Sequence, residues 1–282
     1  MKEVEETVWI NGRCCPIGQA SWPVADRGLS LGDGLFETLR LNVGVPRHFD
    51  DHWQRLKSSA KALGFGDIGP GSEVLSAIKE VAKRNLLTQA SARIVLSRGS
   101  GARGLAPPRE PNCNWLIRTF AATEAPLSPL KLALSSVRRC ASNPVSGHKT
   151  LSHLDMVMSR NWLVSGAKGN ESLVLDVMGN LCCVGIGNLF WLRGNTVYTP
   201  SNDCAILPGT TRARLLRIIR SVGLQVKIGV FAPEVLQSAE AVFISNALIG
   251  VRMAQQVDLG NGLVSHYATE SRIVTELAAS EA

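Results

Sequence analysis

The chain has 282 residues, 45% of them hydrophobic and 19% charged, and a formal net charge of +7 at pH 7. That length allows one large or two modest domains with cores of their own, and the composition excludes disordered and fibrous classes. No apolar run reaches the roughly 18 residues of a membrane span, and the opening MKEVEETVW is acidic rather than a basic leader, so a soluble cytoplasmic protein is expected. The basic surplus is scattered, with no aromatic and basic cluster. It therefore points to an anionic small molecule and away from nucleic acid.

Strand signals come first, in VWINGRCCPI and LFETLRLNVGVPRHF, each broken by a Gly-containing turn. Apolar residues recurring at three and four positions predict helices over Asp50 to Leu63 and Ser72 to Asn85. Strands return at Ala92 to Ser97 and Asn114 to Ala121, and Ala122 to Leu130, with two prolines and little periodicity, reads as a linker. Next come a strand near Lys131 to Arg138, a helix over Ser152 to Ser165 and a strand-rich region from Ser172 to Tyr198. Within that region a hairpin is expected, its arms Leu181 to Leu192 and Thr196 to Thr199 joined by Arg193-Gly194-Asn195. A helix over Thr211 to Val222 and short strands near Gln225 and Ala241 to Ser245 complete the pattern. Strands with interspersed helices predict an α/β (α+β) protein of two domains: residues 1–121, and a larger 131–282 that carries Lys149.

Seven cysteines is an odd number, and two pairs, Cys14-Cys15 and Cys182-Cys183, are adjacent. Neighbouring side chains on a strand point to opposite faces, so the pattern predicts reduced thiols rather than a disulfide framework. No Cys-x-x-Cys or His-x-x-x-His spacing suggests zinc, and no metal is expected.

Three segments carry candidate chemistry. Lys149, in SGHKTLSHLD, stands at a strand-to-helix junction, where it is either a solvated lysine or a desolvated amine of lowered pKa able to act as nucleophile. PGTTR puts Thr210 and Thr211 at a helix entrance, as an ordinary N-cap or as an anion cradle of backbone N–H groups and hydroxyls. Arg55, in HWQRL, is either a solvated helix residue or an anion ligand. One lysine, one helix N-terminus and one arginine would serve a phosphorylated aldehyde cofactor.

DRGLSLGDGLFETLR (Asp26 to Arg40), HWQRL with SAKALG, SRGSGARGL (Ser97 to Leu105), GHKTLSHLD (Gly147 to Asp155), NLFWLRGNTVYTP, PGTTR and ISNAL (Ile244 to Leu248) occur in the order found in class IV aminotransferases. Over nearly its whole length the chain resembles these fold-type IV enzymes, which use pyridoxal 5'-phosphate. They comprise branched-chain aminotransferases, D-amino-acid aminotransferases and 4-amino-4-deoxychorismate lyases. The resemblance implies a two-domain D-amino-acid aminotransferase-like architecture and a homodimer. Lys149 would bond the cofactor and move the substrate's Cα proton. Arg55, Thr210 and Thr211 would hold the phosphate, with Ser245 and Asn246 completing the phosphate and substrate-carboxylate site. Arg103 and Phe36 would lie near a small amino substrate.

One position departs from the family. Where relatives carry the Glu that keeps the pyridine nitrogen protonated, five residues before Asn188, this chain has Cys183. Three states are open: a thiolate beside pyridinium, a neutral thiol beside an unprotonated ring, or loss of cofactor chemistry on a retained fold. A weakened electron sink favours an elimination driven by an aromatic product over transamination. SRGSGARGL, NPVSGHKTLSHLD and NLFWLRGNTVYTP look most like aminodeoxychorismate lyases, which release 4-aminobenzoate and pyruvate for folate synthesis. An aminotransferase for a branched-chain, D- or other amino acid is the runner-up, and a scaffold without cofactor chemistry is the second.

Overall fold

The computed structural model describes residues 5–122 and 128–281, so residues 1–4 of the acidic opening and 123–127 of the predicted linker lie outside it. The described chain divides into two compact units, one of 5–122 with Lys149–Ser152, the other of 128–148 with 153–281.

The first unit contains β1 (Thr7–Ile10), β2 (Arg13–Pro16), α1 (Arg27–Leu31), β3 (Gly34–Asn42), β4 (Val45–Pro46), α2 (Phe49–Ala62), α3 (Gly71–Arg84), β5 (Ala90–Ser97) and β6 (Asn114–Ala121). Its strands form an antiparallel sheet of order β2-β1-β6-β5-β3-β4. The β1–β2 hairpin turns at Asn11-Gly12, both at positive φ, which Asn tolerates and Gly adopts freely. Alternate residues of β3, Leu35, Leu39 and Leu41, face a core shared with Leu56 of α2, Ile78 of α3 and Ile94 of β5. The predicted helices are found within a residue or two of their expected ends, because their apolar stripes are what the sheet buries.

The second unit contains β7 (Leu130–Arg139), α4 (Leu154–Ser159), β8 (Glu171–Asp176), β9 (Leu181–Val184), β10 (Gly187–Arg193), β11 (Thr196–Pro200), α5 (Thr210–Ser221), β12 (Gln225–Gly229), β13 (Ala241–Asn246), β14 (Gly250–Asp258), β15 (Val264–His266) and α6 (Arg272–Glu281). Strand β9 pairs with β8 on one side and β10 on the other. The path β10-β13-β14-β7-β8-β9 therefore closes on itself as a six-stranded barrel, from which β11 and β12 extend. Its interior holds Leu132, Leu173, Leu181, Leu189, Ile244 and Val257. Outside, α5 and α6 pack Leu215, Ile219, Val274 and Leu277 against Phe190 and Phe243, whose rings stack 5.2 Å apart.

Several expectations need correction. The run Leu181 to Leu192 is two strands, because the chain reverses at Gly185-Ile186 and β9 folds back on β10. The helix expected over Ser152 to Ser165 is only α4. Beyond it the backbone bonds to β7 instead, with Ser136 N–H donating to the Trp162 carbonyl (2.7 Å) and Val164 N–H to that of Leu134 (2.8 Å). Adjacent cysteines do not take opposite faces at 182 and 183. A β-bulge leaves Cys182 opposite no residue of β8, and both thiols enter one buried cluster with Met156 and Cys204. All seven cysteines are free thiols. Lys149 groups with the first unit rather than with the residues after the linker. Its carbonyl accepts from Phe36 N–H (2.9 Å), Leu151 N–H donates to Gly34 O (2.9 Å), and Thr150 bridges Leu35. Strands β14 and β15 and helix α6 were not foreseen.

Phe243→Ala should open a cavity under the stacked rings and cost about 3–5 kcal/mol, measured as a lower urea midpoint at unchanged m-value.

Candidate active site

The first unit brings Lys149, Phe36 and Arg55 into one neighbourhood. Helix α2 places His52 and Arg55 three residues apart, on one face. Both reach the buried Glu37 of β3: Arg55 Nε donates to Oε1 (2.7 Å), Arg55 Nη2 to Oε2 (2.6 Å) and His52 Nδ1 to Oε2 (2.7 Å). Burial alone would raise the Glu37 pKa, but the Arg55 charge and the His52 and Arg55 hydrogen bonds outweigh it and bring it to about 2.

Phe36 points to the opposite face of β3 from Glu37. Lys149 Nζ lies 4.1 Å and Arg93 Cζ 4.2 Å from the centroid of its ring. The amine is buried, and desolvation lowers its pKa to about 8; Glu37 opposes this, while the positive charges of Arg55 and Arg93 reinforce it. Lys149 is therefore the desolvated amine of the two states its sequence position allows. Desolvation also lowers the pKa of Arg93, on the strand beside Phe36.

Arg103 lies on an exposed loop. What holds that loop is Arg27, which donates to the carbonyls of Gly104 (3.1 Å), Leu105 (3.0 Å) and Ala106 (3.3 Å) while Asp33 accepts from its Nε (2.8 Å). Asp33 also accepts from Arg98 Nε (2.9 Å), which ties the DRG and SRG segments together.

The second unit brings together Thr210, Thr211, Ser245, Asn188 and Cys183. Asn188 of β10 stands opposite Cys183 on one side and Ser245 on the other. Its side-chain amide donates to Leu207 O (2.9 Å), and its Oδ1 lies where a Cβ on Gly209 would have to be, so no larger residue fits that N-cap. Gly209 leads into α5, whose N-terminus has no side-chain cap, with Thr210 and Thr211 buried. The hydroxyl of Ser245, 1% exposed, has no hydrogen-bond partner among the described residues. A buried hydroxyl without a partner is costly, and beside an uncapped helix N-terminus it suits an anionic ligand. Asn246 is used differently: its Oδ1 accepts from Leu248 and Ile249 N–H (2.9 Å each) and its Nδ2 donates to Ile186 O (3.0 Å), which builds the turn.

Cys183 is buried beside Cys182. Hydrogen bonding from the Cys182 thiol lowers its pKa against the effect of burial, and the Arg139 guanidinium acts in the same direction. The neighbouring Cys183 and burial raise the Cys182 pKa. Sequence reasoning passed over Glu37, Arg93 and Asn188, although the first and last stand inside GLFETLR and GNLFW.

Comparison with known proteins now decides the family. The family model for amino-transferase class IV matches residues 34–257. The chain belongs to the amino-transferase class IV family. The aminodeoxychorismate lyase of Bacillus subtilis (strain 168) is 28% identical over 252 residues, covering 86% of this chain and 84% of that protein. The branched-chain-amino-acid aminotransferase of Escherichia coli (strain K12) is 27% identical over 266 residues, covering 89% and 84%. Among solved structures, a putative 4-amino-4-deoxychorismate lyase from Legionella pneumophila superposes with a TM-score of 0.83 at 26% identity, over 93% of this chain and 94% of that one.

Members of this family use pyridoxal phosphate. In the first unit the desolvated Lys149 amine suits an aldehyde; in the second, the Ser245 hydroxyl, without a partner among the described residues, and the N-terminus of α5 suit a phosphate. They do not offer a carboxylate at position 183 for the ring nitrogen.

The low Glu37 pKa sets a pH dependence. A carboxylate with a folded-state pKa below its unfolded one contributes stability that is present above about pH 4.5 and lost as pH falls toward 2. Wild type should therefore exceed Glu37→Gln by about 3 kcal/mol at neutral pH. The gap should close between pH 4.5 and 2, as read by urea unfolding at a series of pH values.

Proposed function

We propose that the protein is a pyridoxal-phosphate-dependent lyase that converts 4-amino-4-deoxychorismate to 4-aminobenzoate and pyruvate. The observation that carries this reading is the buried Cys183 in place of a carboxylate, in a chain whose relatives include aminodeoxychorismate lyases. When bound, the cofactor supplies an electron sink for charge developing at the substrate carbon that bears the amine. A neutral thiol carries no charge to keep the ring nitrogen protonated, as a carboxylate does, so a sink governed by Cys183 is the weaker one. Transamination would depend on that sink throughout, since it forms no aromatic product to draw the reaction forward. Elimination to an aromatic product draws on the stability of the new ring and depends on it less.

Lys149 is placed to act as the base. With a pKa of about 8 its amine is neutral in about a tenth of molecules at pH 7, against well under a hundredth for an ordinary lysine. It takes the proton from the substrate carbon bearing the amino group and returns one to the departing three-carbon unit, which leaves as pyruvate. The atoms of the substrate are thus conserved in the two products. Phe36 covers the amine with an aromatic face and excludes water from it. Arg55, Thr210, Thr211 and Ser245 anchor the phosphate, while Arg103 serves as a substrate contact from its loop. Asn246 shapes the turn on which Ser245 stands. The active protein is a cytoplasmic homodimer, each chain having two domains joined by the linker at 122–130. The runner-up is an aminotransferase, supported by the branched-chain enzyme at 27% identity.

Purified protein given pyridoxal phosphate should show a visible band that borohydride removes and that Lys149→Ala lacks. With 4-amino-4-deoxychorismate it should release 4-aminobenzoate and pyruvate in equal amounts without a keto acid. Turnover that requires a keto acid would establish the aminotransferase instead, and absence of the band would sink both.

Cys183→Glu should raise a slow transamination half-reaction by on the order of tenfold or more, corresponding to about 1.4 kcal/mol of barrier. If single-turnover spectra show no gain in a variant that binds cofactor, the sink at position 183 is not what selects the reaction.

A further inference from the structure

Helix α6 carries a buried acid, Glu281, that reaches α5. Glu281 Oε1 accepts from Arg214 Nη2 (2.7 Å) and Nε (3.2 Å), and both side chains are almost fully enclosed. Gly250 makes room for the carboxylate, since a Cβ there would stand 2.9 Å from Oε2. From the same Nη2, Arg214 donates to Thr211 Oγ1 (3.1 Å), one turn back along α5. A continuous chain of hydrogen bonds thus runs Glu281, Arg214, Thr211, from α6 to the first turn of α5.

A guanidinium has donors and no acceptor, so in this bond Thr211 Oγ1 accepts. Its own proton must then go to another acceptor, and Arg214 sets the direction away from itself. The carboxylate of Glu281 in turn fixes the guanidinium by two bonds to one oxygen and cancels its charge. Without that acid, Arg214 would be a buried cation lacking its carboxylate counter-charge. We propose that Glu281 is a positioning residue for the anion-binding turn: through Arg214 it orients the Thr211 hydroxyl as a donor to the cofactor phosphate. This rests on reading the N-terminus of α5 as the phosphate cradle. The preorganised hydroxyl then joins that of Ser245, which is buried without a partner among the described residues.

The test compares pyridoxal 5'-phosphate with pyridoxal, which has the aldehyde and ring but no phosphate. Dissociation constants come from the visible band of the protein, so no catalytic assay is involved. Glu281→Gln should weaken binding of pyridoxal phosphate on the order of tenfold and that of pyridoxal less than twofold. Thr211→Val should do the same, and adding Glu281→Gln to Thr211→Val should cost little more, since the two act through one hydroxyl. A merely structural Glu281 would weaken both ligands alike. Equal weakening, an unchanged or increased preference for the phosphorylated ligand, or simple additivity of the two variants would overturn the proposal. Should Glu281→Gln not fold, Arg214→Gln/Glu281→Gln removes both charges together. It carries the same expectation, and a wild-type affinity ratio there is equally decisive against it. Wild-type protein that binds neither ligand would instead overturn the cofactor reading, and this proposal with it.

Discussion

Two backbone hydrogen bonds attach Lys149–Ser152 to β3, from Phe36 N–H to the Lys149 carbonyl and from Leu151 N–H to that of Gly34. Held there, the lysine side chain has the Phe36 ring on one side and little water around it, and its pKa falls for that reason. The attachment needs a bare backbone at Gly34, where a Cβ would collide with the Leu151 side chain and approach the Leu96 carbonyl to 2.7 Å. A larger residue would push away the peptide that carries the amine. The chemistry of the first unit thus depends on a glycine three residues from Glu37, which in turn fixes Arg55.

What the sequence disclosed follows from the range of the interactions involved. Helices α2, α3 and α5 were legible because each buries a stripe written in its own residues. The short α4 was not, since Trp162 and Val164 leave the helical path to bond with β7, a partner about 27 residues earlier in the chain. Barrel closure was hidden for the same reason: the turn at Gly185-Ile186 looks like an interruption of one strand until β8 and β10 are seen on either side of β9. Lys149, Arg55, Thr210 and Thr211 could be picked out by motif and spacing. Glu37 could not be assigned a role from its motif, because its two partners are on another element and its burial is a tertiary fact.

The cysteines show how one inserted residue changes chemistry. On a regular strand Cys182 and Cys183 would face opposite ways and never meet. The bulge between Val174 and Leu175 on the paired strand brings both into one buried cluster. A carboxylate ionises without such help, whereas a buried thiol at position 183 needs a donor and a nearby cation to ionise at all. Cys182 and Arg139 are those groups.

The two units also stabilise charge in different ways. In the first, a single carboxylate takes hydrogen bonds from an arginine and a histidine, and its ionised form is kept by the partners. In the second, a carboxylate and an arginine neutralise each other, and the useful product is the direction of a hydroxyl. Burying an ion pair is seldom favourable by itself, because desolvation of both ions offsets their attraction. A buried pair that also orients a third polar group has a reason to persist that stability alone does not supply. Arg214 and Glu281, 67 residues apart in the chain, meet that description, since a further Arg214 donor goes to Thr211 at the entrance to α5.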